Sequence, residues 1–176
     1  MLPIFFPDII LGITLTVCVF TDVLRRKIYN HVTMSAMAAG MAASIAISGW
    51  HGLLFSVGGL LLGGALLFIP FAINGLGAGD VKLGAAIGAI AGPVFALQTI
   101  IIAFVLGAIT ALLVLLYQGQ LIETLRRWVQ TFASLVYPGC RPLLEKNNKS
   151  SEIPFAPCIA GGALAAKWID IHGFIF

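Results

Sequence analysis

Apolar residues along this chain gather into long runs separated by short polar stretches. The runs have the length of membrane-crossing helices rather than the alternation of strands. The first extends from about Ile4 to Thr21, interrupted by Asp8 and two threonines, with Pro3 and Pro7 near its start. It has neither a basic leading stretch nor a small-residue cleavage site, so it reads as a retained helix rather than a signal peptide. A second run, about His31 to Ser48, is rich in Ala, Met and Ser and is the least hydrophobic. The third, about Leu53 to Ile73, reads "LLFSVGGLLLGGALLFIPFAI". From Leu83 to Tyr117 no residue is charged. At about 1.5 Å per residue that stretch is too long for one crossing of a ~30 Å core and just enough for two. A turn is expected near "AGPVFALQT", where Gly92, Pro93, Gln98 and Thr99 cluster, leaving a short fourth span and a full fifth. The sixth runs from about Pro154 to Ile169. The pattern predicts an all-α polytopic membrane protein of six transmembrane helices.

Between Gln118 and Glu152 lies the one substantial polar segment. Leu121, Leu125, Trp128, Phe132 and Leu135 recur there at spacings of three and four, with Glu123, Arg126, Arg127 and Gln130 on other faces. That periodicity predicts an amphipathic helix lying in the membrane interface between helices 5 and 6, followed by an irregular linker, "YPGCRPLLEKNNKSSE".

Composition agrees with the pattern. Sixty per cent of the 176 residues are hydrophobic and 10% are charged, more apolar surface than a water-soluble domain of this size can hide. One transmembrane domain, residues 1–176, is expected, with the bilayer as its surroundings. Small residues recur in "GGLLLGG", "GAAIGAIAG" and "AGGALAA", as in helices that pack closely in lipid. Cys18, Cys140 and Cys158 form no C-x-x-C pair. They read as packing residues, and no metal or cofactor is expected.

The net charge of +3 needs no nucleic-acid partner, because its placement has another explanation. With Met1 outside, the inner segments 22–31, 74–82 and 118–152 hold Arg25, Arg26, Lys27, Lys82, Arg126, Arg127, Arg141, Lys146 and Lys149, leaving only Lys167 near the other face. The positive-inside rule then puts these loops in the cytoplasm. It also brings Asp22 and Asp80, far apart in sequence, to one side of the membrane. Each has a bland explanation: Asp80 as an N-cap just before a helix, Asp22 as an interfacial partner of Arg25 or Arg26. Asp8 and Asp170 lie toward the opposite face, where a structural role suffices. The chemical alternative is a pair of carboxylates sharing one proton. The ionised member activates a water and the protonated member polarises a carbonyl, which is peptide hydrolysis by an aspartic dyad. Gly77 and Gly79 would let the backbone before Asp80 turn sharply or let a substrate strand pass close. A proton-coupled transporter or channel using the same acids as a relay is the competing reading, though both acids fall on one face. A non-catalytic assembly protein is a third.

"GLGAGDVKLGAAIGAIAGP" resembles the G-x-G-D segment of the type IV prepilin peptidases, aspartic peptidases of the leader-peptidase family. "DVLRRKIYNHVT" is similar to the stretch where that family carries its first aspartate, basic residues and an Ile-Pro-Asn-like element, here with Tyr29 in place of the proline. "IPFAPCIAGG" is similar to the family's last helix. The resemblance implies Asp22 and Asp80 as the catalytic pair and Asn30, Gly77, Gly79 and Lys82 as supporting positions. It implies a prepilin-like membrane protein as substrate, cleaved at the cytoplasmic face of the inner membrane. Larger members add a region with paired C-x-x-C motifs, associated with N-methylation of the product. The short cysteine-free loop after the first span points instead to the small, peptidase-only branch serving Flp/tight-adherence pili, or to the preflagellin peptidases. The G-x-G-D is also similar to that of presenilin and the signal-peptide peptidases, whose Pro-Ala-Leu element is absent here.

Overall fold

The computed structural model describes residues 6–73, 75–119 and 155–171, and all regular structure among them is helical. The helices are α1 (Phe6–Arg25), α2 (Asn30–Ala72), α3 (Ala78–Ala91), α4 (Pro93–Tyr117) and α5 (Ala156–Ile171). The chain forms two compact units, Met1–Gly107 with Pro154–Phe176, and Ala108–Ile153. Of the second, the described part is the end of α4 and the turn at Gln118 and Gly119. The amphipathic helix and linker expected within 118–152 otherwise fall outside the described residues, and so does Cys140.

Among the described residues, three helices are long and apolar enough to cross a membrane: α1, α2 and α4. At 43 residues α2 is twice the length of a crossing, and it is broken at Gly49, whose φ of 56° and ψ of −133° are not helical. Glycine is needed there because a Cβ disfavours that backbone conformation. The break divides α2 into arms over 30–48 and 50–72, close to the second and third apolar runs. Two sets of contacts show the chain doubling back. Asn30 and Gly40 lie beside Lys82 and Ile90, parallel to α3, whereas Gly59 and Gly63 lie beside Gly88 and Gly84, antiparallel to it.

The uncharged run divides at Gly92, as expected, but Gln98 and Thr99 sit inside α4 rather than in the turn. Gly92 alone makes the corner. Its φ is 88°, a Cβ there would strike the Phe55 ring, and Pro93 opens α4 with its φ already suited to a first helical turn. The turn is tight, as expected, and the helix satisfies the backbone groups of Gln98 and Thr99.

α3 is the centre of the first unit. Eight consecutive residues, Leu83 to Ile90, are buried. The segments 59–63 and 84–88 are both G-x-x-x-G, and they face each other at backbone contact: a Cβ on Gly59 would meet the Gly88 carbonyl, and one on Gly88 the Gly59 carbonyl. Such an approach gains dispersion energy that bulkier side chains would prevent. The Ser56 hydroxyl adds a buried hydrogen bond to the Ala89 carbonyl at 2.6 Å. Leu11, Leu15, Leu67, Leu83, Ile87, Ile100 and Ile159 fill the space between the helices. Outside, α1 exposes Ile9, Ile13, Phe20 and Leu24, and α4 exposes Ile101 and Val105. An apolar exterior of that kind suits hydrocarbon and not water.

Candidate active site

Asp22 ends up in the last turn of α1 and is buried, 8% exposed. The expected partnership with Arg25 or Arg26 is not found among the described residues. Arg25 Nη1 donates instead to the Tyr29 hydroxyl at 2.7 Å. Asp22 Oδ2 accepts from the backbone N–H of Ala156, the first residue of α5, at 3.1 Å. The first N–H groups of a helix lack intrahelical partners, so a carboxylate from one end of the chain caps a helix at the other. Nothing in the local sequence of Asp22 announces that contact. The one signal was the resemblance of "IPFAPCIAGG" to a family element.

Asp80 is also 8% exposed. It is the third residue of α3, not the residue preceding the helix, so the expected N-cap is corrected to a position inside the first turn. Its Oδ2 accepts from the Gly77 N–H at 3.2 Å, and its own N–H donates to the Gly77 carbonyl at 3.1 Å. The carboxylate thus satisfies one of the helix's orphan donors from within, at the end where a negative charge is favourable.

The glycines before Asp80 are there for a different reason than a sharp turn. Gly77 has φ −79° and ψ 150°, which any residue adopts, and Gly79 is helical. A Cβ on Gly79 would lie 2.9 Å from Ile28 Cβ, so Gly79 permits the link between α1 and α2 to press against α3. A Cβ on Gly77 would stand 3.4 Å from Asp80 Oδ2, beside the carboxylate itself. Asn30 and Lys82 also meet: Lys82 Nζ donates to Asn30 Oδ1 at 2.8 Å, tying the start of α2 to the first turns of α3. Tyr29 stands at φ −75°, within the range that proline enforces. The backbone therefore explains why tyrosine can occupy a position where the resembling enzymes have proline.

Asp22, Asp80, Asn30, Gly77 and Gly79 line one cavity of about 450 Å³; Lys82 reaches it through Asn30. Burial pushes the Asp80 carboxyl up to about 6, the Gly77 N–H opposes this, and the charge of Asp22 pushes it higher again. A carboxyl so placed keeps its proton up to about pH 6 while a second carboxylate stands by. The rest of the wall is Arg26, Lys27, Ile28, Tyr29 and His31. Sequence reasoning read Arg26 and Lys27 as marks of membrane orientation, and Arg26 also as a possible partner of Asp22, but did not single out His31. Asp8 belongs to a different place, where its Oδ1 accepts from Lys167 Nζ at 2.6 Å. The side chain of Asp170 lies outside the described residues.

No curated protein and no solved structure matches the chain. A family model does: that of the type IV leader peptidase family, over residues 9–112. The matched stretch includes Asp22, Asn30, Gly77, Gly79, Asp80 and Lys82 but not α5. It covers more than half of the 176 residues, and with the apolar helices it makes this chain a membrane protein, a prepilin-type peptidase, and a member of the type IV leader peptidase family.

Proposed function

We propose that this peptidase is of the aspartic type and that Asp22 and Asp80 are its catalytic pair. One observation carries the reading: both carboxylates line a single cavity, where burial and then the charge of Asp22 raise the Asp80 carboxyl to about 6. The two share one proton. Asp80 carries it and donates a hydrogen bond to the scissile carbonyl. Asp22 takes a proton from a water, whose oxygen attacks the carbonyl carbon as Asp80 passes its proton to the carbonyl oxygen. The tetrahedral intermediate collapses when the proton held by Asp22 moves to the leaving nitrogen, one hydroxyl of the intermediate returns its proton to Asp80, and the C–N bond breaks. Asn30 and Lys82 hold the two helices that frame the pair. Gly77 leaves room for the substrate backbone beside Asp80, and Gly79 sets the approach of the α1–α2 link.

In this reading the chain acts as one transmembrane domain. It crosses the inner membrane six times, the two arms of α2 and the short α3 and α5 included, with the N-terminus outside. The cavity faces the cytoplasm, a placement supported by the basic residues that surround it. The substrate is a prepilin-like precursor whose apolar helix lies in lipid, with its leader junction at the inner interface. Residues 26–29, which join α1 to α2, include no cysteine. That supports the peptidase-only, Flp-type branch.

Co-expression with candidate prepilins, read as a gel shift on leader loss, tests the assignment. Asp80→Asn retains an oxygen that can accept from Gly77 but cannot hold the shared proton. It should accumulate in the membrane normally and leave the precursor uncleaved. Asp22→Asn should do the same, and the double variant should be hardly worse than either, because members of one catalytic unit are not additive. Full processing by Asp80→Asn would refute the aspartic mechanism.

A further inference from the structure

Asp80 is held by the start of its own helix, through the Gly77 N–H. Asp22 takes its donor, the Ala156 N–H, from a different helix, α5. That hydrogen bond is 3.1 Å long and is lost if α5 slides by much less than a helical turn. Whatever fixes the register of α5 against α1 therefore also fixes the aspartate.

Packing sets that register weakly. α5 enters the core with Ala156, Ile159, Ala163 and Ala166, and alanine ridges are shallow and interlock little with a neighbour's grooves. At the far end of α5 the packing opens into a cavity of about 230 Å³, with Pro7, Leu11, Ile90 and Phe95 around it. Asp8 and Lys167 complete its wall, and there the tie between α1 and α5 is ionic: Lys167 Nζ stands 2.6 Å from Asp8 Oδ1. Lys167 is also set apart as a cation. The other described lysines and arginines, Arg25, Arg26, Lys27 and Lys82, all stand at the dyad end of the helices.

On the peptidase reading above, we propose that Asp8 and Lys167 are positioning residues for Asp22. Their pair lies about 16 Å along α5 from Ala156 and pins the axial register of the helix. α5 then presents its first N–H to Asp22 Oδ2 and leaves Oδ1 for the attacking water. Neither Asp8 nor Lys167 touches the reacting atoms. The rival determinant is the seat of α5 on α4, where a Cβ on Gly162 would meet the Thr99 carbonyl. If that seat alone set the register, the ion pair would be dispensable.

The test measures kcat and KM of the full-length protein in vesicles of phosphatidylcholine and phosphatidylglycerol, per folded enzyme. Lys167→Met keeps the stem and removes the charge. Its kcat should fall about three- to fivefold, the population change that a partly exposed ion pair commands. KM should stay as it is, because the substrate meets the other end of the molecule. Lys167→Arg keeps the pair and should restore the rate. Ala156→Pro removes the N–H at a first helical position, which accepts proline, so the helix remains while Asp22 loses its donor. Added to Ala156→Pro, Lys167→Met should cost nothing further in kcat, although sites that far apart otherwise act independently. The Ala156 amide proton, followed by NMR in detergent, gives a reading that needs no activity: it should move upfield in Lys167→Met and return in Lys167→Arg. A full kcat in Lys167→Met, losses that multiply in the double variant, or an amide proton that does not move would each overturn the proposal. Failure of the wild type to cleave any precursor would sink the peptidase mechanism instead, and the amide shift would still test the coupling.

Discussion

Asp80 sits where ionisation is disfavoured, and its charge state therefore controls how the site responds to pH. Its carboxyl is raised from the ordinary 3.8 to about 6, first by burial, then by the charge of Asp22. If its proton polarises the scissile carbonyl, the deprotonated form is inactive. Cleavage measured as kcat/KM, which reports the free enzyme, should fall as pH rises through about 6, approaching tenfold per unit above it. The effect on stability has the same sign. A carboxyl raised on folding favours the folded state at low pH, and that contribution is lost as pH rises through about 6. Asp80→Asn removes the ionisation, so its melting temperature should change less between pH 5 and 7.5 than that of the wild type. A flat activity profile across pH 5–7.5 would contradict the role given to the Asp80 proton.

Between elements, the closest packing is made by residues with no side chain. The second arm of α2 and α3 meet through Gly59, Gly63, Gly84 and Gly88, and at Gly59, Gly63 and Gly88 the atoms a new Cβ would strike first are backbone carbonyls, which cannot rotate away. Gly88→Ala should therefore force the helices apart at a cost of about 1–3 kcal/mol or more. Because α3 carries Asp80, activity should fall with stability. Gly12 in α1 is the contrasting case, with nothing within 4 Å of an added Cβ. Gly12→Ala should be neutral or gain about 0.5–1 kcal/mol from helix propensity. Thermal melts of the two variants in detergent separate a glycine kept for close approach from one that is merely tolerated.

At the scale of the molecule, the two ends of α1 have opposite chemistry. Its last turn holds Asp22 in the cationic cavity, and its first turn holds Asp8, paired with Lys167 near the end of α5. A helix of 20 residues, about 30 Å long, separates the two. With the cavity on the cytoplasmic side, a reporter fused after Lys27 should read cytoplasm, and one fused after Trp50, just past the break in α2, should read the outer side. The opposite result would place the cavity on the face away from the leader and overturn the proposed course of cleavage.

Hydropathy alone made the helical class, the break near Gly49 and the division of the uncharged run at Gly92 legible. Each follows from local physics: a length matched to a bilayer, and a glycine where the chain must turn. Asp22 and Asp80 stood out for a similar reason, as charges at the ends of runs that otherwise exclude charge. What the sequence could not show was which atoms those carboxylates touch. The N–H of Ala156 reaches Asp22 across 134 positions, and that of Gly77 places Asp80 inside its helix rather than before it. Arg26 in the cavity wall, and Gly79 pressed against Ile28, are likewise products of helix packing. Local periodicity decides where a helix forms; only the close approach of several helices decides what its side chains meet.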